Sequence, residues 1–331
     1  MNVGLLVDFR NPPGWRRPWV DHYARTLEFI EEADRLGCGA IFLTEHHLTE
    51  DGYLPQPMTI AGAIAARTRS SRIGTAVMLA TLRHPLHMAE EVAIVDLISG
   101  GRAELGLGTG YRRVEFAAFG VDAGDKHSML HSHVVELRRL LTPGSELSPP
   151  PVQARLPMWV GYNGPAGARR AGRLGEGLLS LRRGLLEPYR QGLVEGGHDP
   201  DTARMCGHVN LVVADDPEAT WAAIESNVAY QMNSYIGYRA EGSAESPPTP
   251  VTGVAVRQGT DRIGEYVVLT PEAAVDYLRD KTVGLPVAHA FTWLSIANMS
   301  DDITGRHLEL LLTKVAPALT TATKHDEGIP T

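Results

Sequence analysis

Glu45, His46 and His47 follow directly on the apolar run Ala40–Thr44, so a carboxylate and two imidazoles close a segment whose composition predicts a short strand. Consecutive side chains on a strand point to opposite faces. The two histidines therefore do not readily share one metal ion. One can project from the strand end while the other packs outward or is held by a carboxylate. Imidazole changes charge near neutral pH, which suits the projecting ring to proton transfer. A pair of structural histidines capping the strand fits the same spacing. His84 before Pro85 is explained as well by a strand-to-helix corner as by a site.

Two glycine-bearing segments could hold a cofactor. Gly106-Leu107-Gly108-Thr109-Gly110-Tyr111 starts like a dinucleotide fingerprint, but Tyr111 stands where its third glycine belongs, and the glycines lie within the strand rather than after it. Glycines inside a strand, like the small residues Gly74, Thr75 and Ala76, leave room for a planar ring to approach the backbone. In Tyr162-Asn163-Gly164-Pro165-Ala166-Gly167, Pro165 fits a first helical turn. The free N–H groups there could hold a phosphate, with Arg169 and Arg170 nearby, or serve only as a strand–helix turn. Trp15, Trp159, Tyr235 and Trp293 are candidates for a substrate wall or for the core, with Trp15 favoured by its place in a Pro-rich loop.

These residues need elements to position them. Short apolar runs alternate with amphipathic stretches along the chain. Strands are predicted at Val3–Phe9, Ala40–Thr44, Ile73–Ala80, Ala103–Gly108, Pro157–Tyr162, Gly177–Leu181, His208–Ala214 and Val287–Ser295, each followed by a helix. The helix after His208–Ala214 is predicted over Pro217–Met232. Parallel strands require such crossovers, and eight β-then-α units are the count of a closed (β/α)8 barrel. Residues 1–319 are read as that one barrel domain. Ala240–Val267, rich in proline and glycine, is an insertion and a candidate lid, and 320–331 a flexible tail.

Composition narrows the class. The 331 residues carry a net charge of -8, which disfavours nonspecific nucleic-acid binding. Only Cys38 and Cys206 are present, so no disulfide framework or CxxC metal site is expected, and a reducing cytoplasm is the simplest setting. No apolar run approaches the ~20 residues that span a bilayer, and the first residues read as a strand rather than a signal segment.

Taken together, Thr44–Gly52, Ile73–Ala76, His84–Pro85, Asp96–Arg102 and Phe116–Gly120 resemble segments of the bacterial luciferase-like monooxygenase family, with spacing preserved over roughly residues 44–120. Weaker matches follow at Gly161–Gly172 and Leu269–Glu272. The resemblance implies a (β/α)8 barrel of the luciferase-like type that uses reduced FMN and O2. It implies that His46 corresponds to the catalytic histidine, and that a non-proline cis peptide joins Ala76 and Val77 beneath the flavin. Glu45, Ala76, Val77, Met78, Gly108 and Thr109 would then contact the cofactor, with Tyr162, Asn163, Gly164, Pro165, Ala166 and Gly167 at its phosphate. This sequence departs from the family at that phosphate. Gly108 replaces a cysteine, Thr109 and His127 replace arginines, and hydroxyl residues are missing around Asn163–Ala168. Backbone N–H groups with Thr109, Lys126 or Arg170 must serve instead.

The expected function is a two-component monooxygenase that oxygenates a small, largely apolar molecule by Baeyer–Villiger insertion, hydroxylation or epoxidation. Trp15 and Trp293 would touch the substrate, and a separate reductase would supply reduced FMN, because the barrel uses the whole chain. Barrels of this family pair through their second and third helices, and the alanine-rich Ala61–Ala66 would permit it, so a homodimer is expected. An F420-dependent hydride-transfer enzyme, a nicotinamide dehydrogenase and a non-catalytic flavin-binding protein are the alternatives.

Overall fold

The computed structural model describes residues 1–241, 249–259 and 265–321. Within them the apolar runs form β1 (Asn2–Val7), β2 (Ala40–Leu43), β3 (Arg72–Thr75), β4 (Met78–Leu79), β5 (Leu105–Gly108), β6 (Met158–Gly161), β7 (Gly177–Leu179), β8 (Met205–His208), β9 (Leu211–Val213), β10 (Val267–Leu269) and β11 (Val287–Trp293). Nine pair in the order β3-β2-β1-β11-β8-β7-β6-β5-β4. β3 and β4 are two pieces of one strand path, parted by the cis Ala76–Val77 peptide. The path meets β5 along both pieces. Ile73 bridges Ala103. The Thr75 hydroxyl donates to the Gly106 carbonyl at 2.7 Å and accepts the Gly106 N–H at 3.0 Å. β4 pairs with β5 directly. Eight strand positions thus close into the (β/α)8 barrel.

Glycines shape the barrel interior by what they make room for. A Cβ on Gly74 would lie 2.6 Å from the Phe42 ring, and one on Gly177 would lie 2.2 Å from the Trp159 indole. Phe42 then stacks on Phe291 at 4.6 Å, and Trp159 stands edge-on to His289 at 5.8 Å. The Trp159 indole N–H donates to Glu104 at 2.6 Å, so this tryptophan is a filler of the barrel and not a cavity wall. The room at Gly74, read from sequence as space for a planar ligand, is therefore filled by protein. Gly106 is tighter still, with a Cβ placed 1.8 Å from the Thr75 carbonyl oxygen.

Three boundaries differ from expectation. The run His208–Ala214 is not one strand. Val209 N–H closes the barrel edge on Phe291 O at 2.8 Å, and the chain then turns into β9, which pairs with β10 outside the barrel. The helix expected to end at Met232 runs over Pro217–Ala240, starting from Asp216, which caps the Ala219 N–H. Of the proposed lid, 242–248 and 260–264 lie outside the described residues, and the rest carries the short helix Gly253–Gln258 and β10. Helix Ala316–Thr321 reaches into the expected tail, whose residues 322–331 also lie outside.

Buried polar groups give two tests of this packing. His307 is fully buried, its Nδ1 accepting the Val213 N–H at 2.9 Å and its Nε2 facing the Thr292 hydroxyl at 3.3 Å. Burial pushes its pKa from 6.5 down to about 4. Between those values the unfolded chain binds more protons than the folded one, so stability rises with pH. Acidifying across that window should cost up to about 3 kcal/mol of unfolding free energy through His307. Urea titrations at both ends should show it, and His307→Gln should flatten the slope. Cys38 and Cys206 are buried free thiols. Burial pushes Cys38 up to about 12 and raises Cys206 as well. Thiolate is the reactive form. At neutral pH a chromogenic disulfide reagent should leave both untouched in native protein and titrate both after unfolding.

Candidate active site

The strands deliver their C-terminal ends to a cavity of about 710 Å³, within the range of small-molecule sites. Thr44, Glu45 and His46 enter it after β2, and Ala76, Val77 and Leu79 from the broken strand. Gly108 to Tyr111 follow β5, Tyr162 and Asn163 follow β6, and Trp293 ends β11. Met232, Tyr235, Ile236 and Arg239, on the C-terminal half of the Pro217–Ala240 helix, form the roof, joined by Tyr266.

His46 is buried and held at both ring nitrogens. Its Nδ1 lies 2.9 Å from Glu115 Oε1, and its Nε2 lies 3.1 Å from the Tyr111 hydroxyl. A carboxylate only accepts, so Nδ1 carries the proton and Nε2 is the acceptor in the neutral ring. Burial pushes the His46 pKa down, against the Glu115 hydrogen bond and charge, which raise it, and the net shift is downward. His46 is therefore neutral at neutral pH, with a basic nitrogen on the cavity side. Glu115 Oε1 also accepts the His47 N–H at 2.8 Å and Arg112 Nη1 at 3.2 Å. Burial raises the Glu115 pKa, but the His46 hydrogen bond and charge, the His47 N–H and Arg112 outweigh it, so the carboxylate stays ionised.

Strand alternation sends the neighbours of His46 elsewhere. Glu45 accepts the Leu79 N–H at 2.8 Å, His47 Nε2 at 2.9 Å and Arg83 Nη2 at 2.8 Å. Its carboxylate borders the cavity, yet its oxygens are engaged within the protein. His47 faces away and packs edge-on against Phe119 at 4.8 Å. Arg112 ties this region to the roof. It makes two bonds of 2.8 Å to Glu241 and lies 4.2 Å from the Tyr238 ring. Behind the wall, buried Arg10 pairs with Asp8 at 3.1 Å and lies 4.4 Å and 4.7 Å from the Tyr53 and Tyr235 rings. Burial, opposed by Arg10, pushes Asp8 up to about 6.

The far side of the cavity carries basic and polar groups. Lys126, His127, Tyr162 and Asn163 line it. The Tyr162 hydroxyl is buried and has no hydrogen-bond partner among the described residues. Burial lowers the His127 pKa, and so do the charges of Arg170 and Lys126. An unpaired hydroxyl within a cationic group, beside the start of helix Gly164–Arg173, fits a phosphate.

Not every expected contact reaches the cavity. His46, Glu45, Ala76, Val77, Gly108, Thr109, Tyr162, Asn163 and Trp293 line it. Gly108 does so while making room for a side chain rather than for a ring, because its Cβ would lie 2.5 Å from Val77 Cγ2. Met78 is fully buried in the core between barrel and helices. Gly164, Pro165, Ala166 and Gly167 form the helix start behind Asn163, with Gly167 against Tyr162, and are not walls. Trp15 stands edge-on to Tyr230 at 6.0 Å, and Asn298 holds its carbonyl at 2.7 Å, so the Pro-rich loop packs beside the roof helix and outside the cavity. Glu115, Tyr111, Tyr53, Arg112 and Arg239 were not singled out in the sequence. Glu115 immediately precedes the Phe116–Gly120 motif, and Tyr111 occupies the failed glycine position, which were the available signals.

The sequence profile of the luciferase-like monooxygenase family matches residues 1–267. Among curated relatives, the uncharacterized protein y4wF of Sinorhizobium fredii is 46% identical over 100 residues, covering 30% of this chain and 29% of that one. The alignments with the first two relatives span under a third of those proteins' own length. Limonene 1,2-monooxygenase of Rhodococcus erythropolis is 26% identical over 278 residues, or 76% of this chain and 70% of the relative. Monooxygenase RslO1 from Streptomyces bottropensis superposes with a TM-score of 0.74 at 24% identity, covering 96% and 99% of the two chains. The oxygenating constituent of 3,6-diketocamphane monooxygenase of Pseudomonas putida, a type II Baeyer–Villiger monooxygenase in complex with FMN, gives 0.72 at 17% identity, with 96% and 99% coverage. An F420-dependent secondary alcohol dehydrogenase gives 0.69 at 16% identity, covering 96% and 98%. At these identities the structural likenesses concern the fold.

Proposed function

This chain belongs to the luciferase-like monooxygenase family, and from that premise we propose that it is the oxygenase component of a two-component flavin monooxygenase. It takes reduced FMN from a separate reductase and, with O2, oxygenates a small organic molecule by Baeyer–Villiger insertion, hydroxylation or epoxidation. The observation that carries this reading is His46, locked by Glu115 and Tyr111 at the wall of the cavity that Lys126, His127 and Tyr162 line elsewhere.

Bound reduced FMN supplies the electrons and the site of O2 activation. Lys126, His127, Tyr162 and Asn163 hold its phosphate. Ala76, Val77, Gly108 and Thr109 border its ring system. His46 Nε2 would take the proton through the Tyr111 hydroxyl that donates to it and return it by the same path, while Glu115 would hold the Nδ1–H and steady the charged ring when it forms. Trp293, with its indole N–H on Asn210 at 3.3 Å, borders the substrate. The roof helix excludes water.

Reduced FMN should bind anaerobically, and O2 uptake should depend on it. Binding of F420 in place of FMN, with hydride transfer and no O2 uptake, would overturn the oxygenase reading. No described helix is long and apolar enough to cross a membrane, and the reading is of a cytoplasmic enzyme. It acts as a homodimer. On the helix Pro85–Ser99, Ile94, Leu97 and Ile98 are 47%, 42% and 50% exposed, an apolar stripe that a second copy would cover. Ile94→Lys with Ile98→Lys should yield a monomer in sedimentation velocity. A wild-type monomer would overturn the dimer.

A further inference from the structure

We infer that the His46 half of the cavity takes a planar aromatic acid, its ring system among the tyrosines and its anionic group on Arg239. This rests on the oxygenase reading of the same cavity and names its substrate class.

The wall around His46 is aromatic and hydroxylated. Tyr53 and Tyr111 stand edge-on to the imidazole at 4.8 Å and 5.2 Å, and Tyr235 stands edge-on to Tyr53 at 6.4 Å. Tyr266 and Trp293 complete it. Edges and faces set at such angles receive a flat ring well, because aromatic pairs favour offset and T-shaped contacts. The hydroxyls are ordered. Tyr111 donates to His46, and Tyr266 donates to Gln231. Tyr53 and Tyr235 meet at 3.1 Å, and whichever accepts keeps its own proton to give to a ligand.

One guanidinium on this side is left without a carboxylate partner among the described residues. Arg239 lines the roof beside these rings, its charge acting on Tyr111. Among the described residues no carboxylate lies within ion-pair distance of it. The acidic liner among the described residues, Glu45, is engaged by Leu79, His47 and Arg83. Arg10, behind Tyr53 and Tyr235, is already paired with Asp8 and Asp51, so the anion is left to Arg239. Lys126 and His127 lie on the Tyr162 side, with the phosphate group. An aliphatic ligand would strip water from Arg239 and the spare tyrosine proton and return nothing, which is costly for polar groups. An aromatic carboxylate or phenolate replaces both interactions. The expectation of a largely apolar substrate rested on the candidate lid and on Trp15, and Trp15 lies outside the cavity.

Isothermal titration with 2-naphthoate, 2-naphthol, naphthalene and decanal tests this, with and without oxidised FMN present. Naphthoate should bind at least about tenfold more tightly than naphthalene or decanal. Arg239→Met, at an exposed position, should weaken naphthoate about tenfold or more (each factor of ten being about 1.4 kcal/mol) while 2-naphthol and FMN change little. Tighter binding of decanal than of naphthoate would overturn the inference. So would an Arg239→Met variant that loses FMN affinity but keeps naphthoate, since Arg239 would then serve the phosphate. If FMN does not bind but naphthoate binds through Arg239, the oxygenase reading fails and the acid site stands.

Discussion

His46→Ala is expected to lower substrate oxygenation by about 10²- to 10⁴-fold, the usual worth of a positioned acid–base group, with FMN binding nearly unchanged. The asymmetry follows from the geometry. The imidazole is gripped by Glu115 and Tyr111 and stands apart from Lys126, His127 and Tyr162, where the phosphate would sit. The loss should appear in kcat rather than in cofactor affinity, because the proton is needed only as bonds change. Reduced FMN should still be consumed by O2, now without product. His46→Gln keeps bulk and a donor toward Glu115 but lacks a basic nitrogen, and it should be nearly as inactive. Full product formation by either variant would remove His46 from the chemistry.

The second large effect is at Glu115, a positioning residue. Its buried carboxylate serves His46, the His47 N–H and Arg112 together. Glu115→Ala leaves those donors without their shared acceptor, and breaking such a buried pair costs about 3–5 kcal/mol. The midpoint of urea unfolding should fall accordingly. Glu115→Gln retains an oxygen for the Nδ1–H and should stay folded, yet it removes the charge that raises the His46 pKa. Burial already lowers that pKa, so the variant should lower it further. The acidic limb of the rate profile, where His46 becomes protonated, should then move to lower pH. A scaffold-only role for Glu115 would leave that limb in place.

Much of this was written locally in the chain. Period-2 alternation sent the two histidines to opposite faces without saying which projects; the resemblance pointed to His46, which lines the cavity while His47 packs on Phe119. The β-then-α rhythm carried the barrel. What sequence patterns could not convey was long-range or steric. Glu115 lies 69 positions from His46 and sits on the seven-residue helix Arg113–Phe119, too short to stand out by periodicity. Gly106 and Gly108 announced a close approach, but not that the approaching groups are the Thr75 carbonyl and the Val77 side chain. Trp15 was misplaced because its loop is tied down by distant partners, with Asn11 N–H on Asp51 O at 2.7 Å and Asn298 on Trp15 O. The roof combines the helix that continues past Met232 with Tyr266 from the proline-rich insertion, of which 242–248 and 260–264 lie outside the described residues.

The most direct test of the central claim is the fate of reduced FMN bound to the protein when it is mixed rapidly with O2. A cavity that encloses the flavin and handles its proton chemistry should slow the return of oxidised-flavin absorbance well below that of free reduced FMN. Reoxidation at the free-flavin rate, unchanged by excess protein, would contradict it.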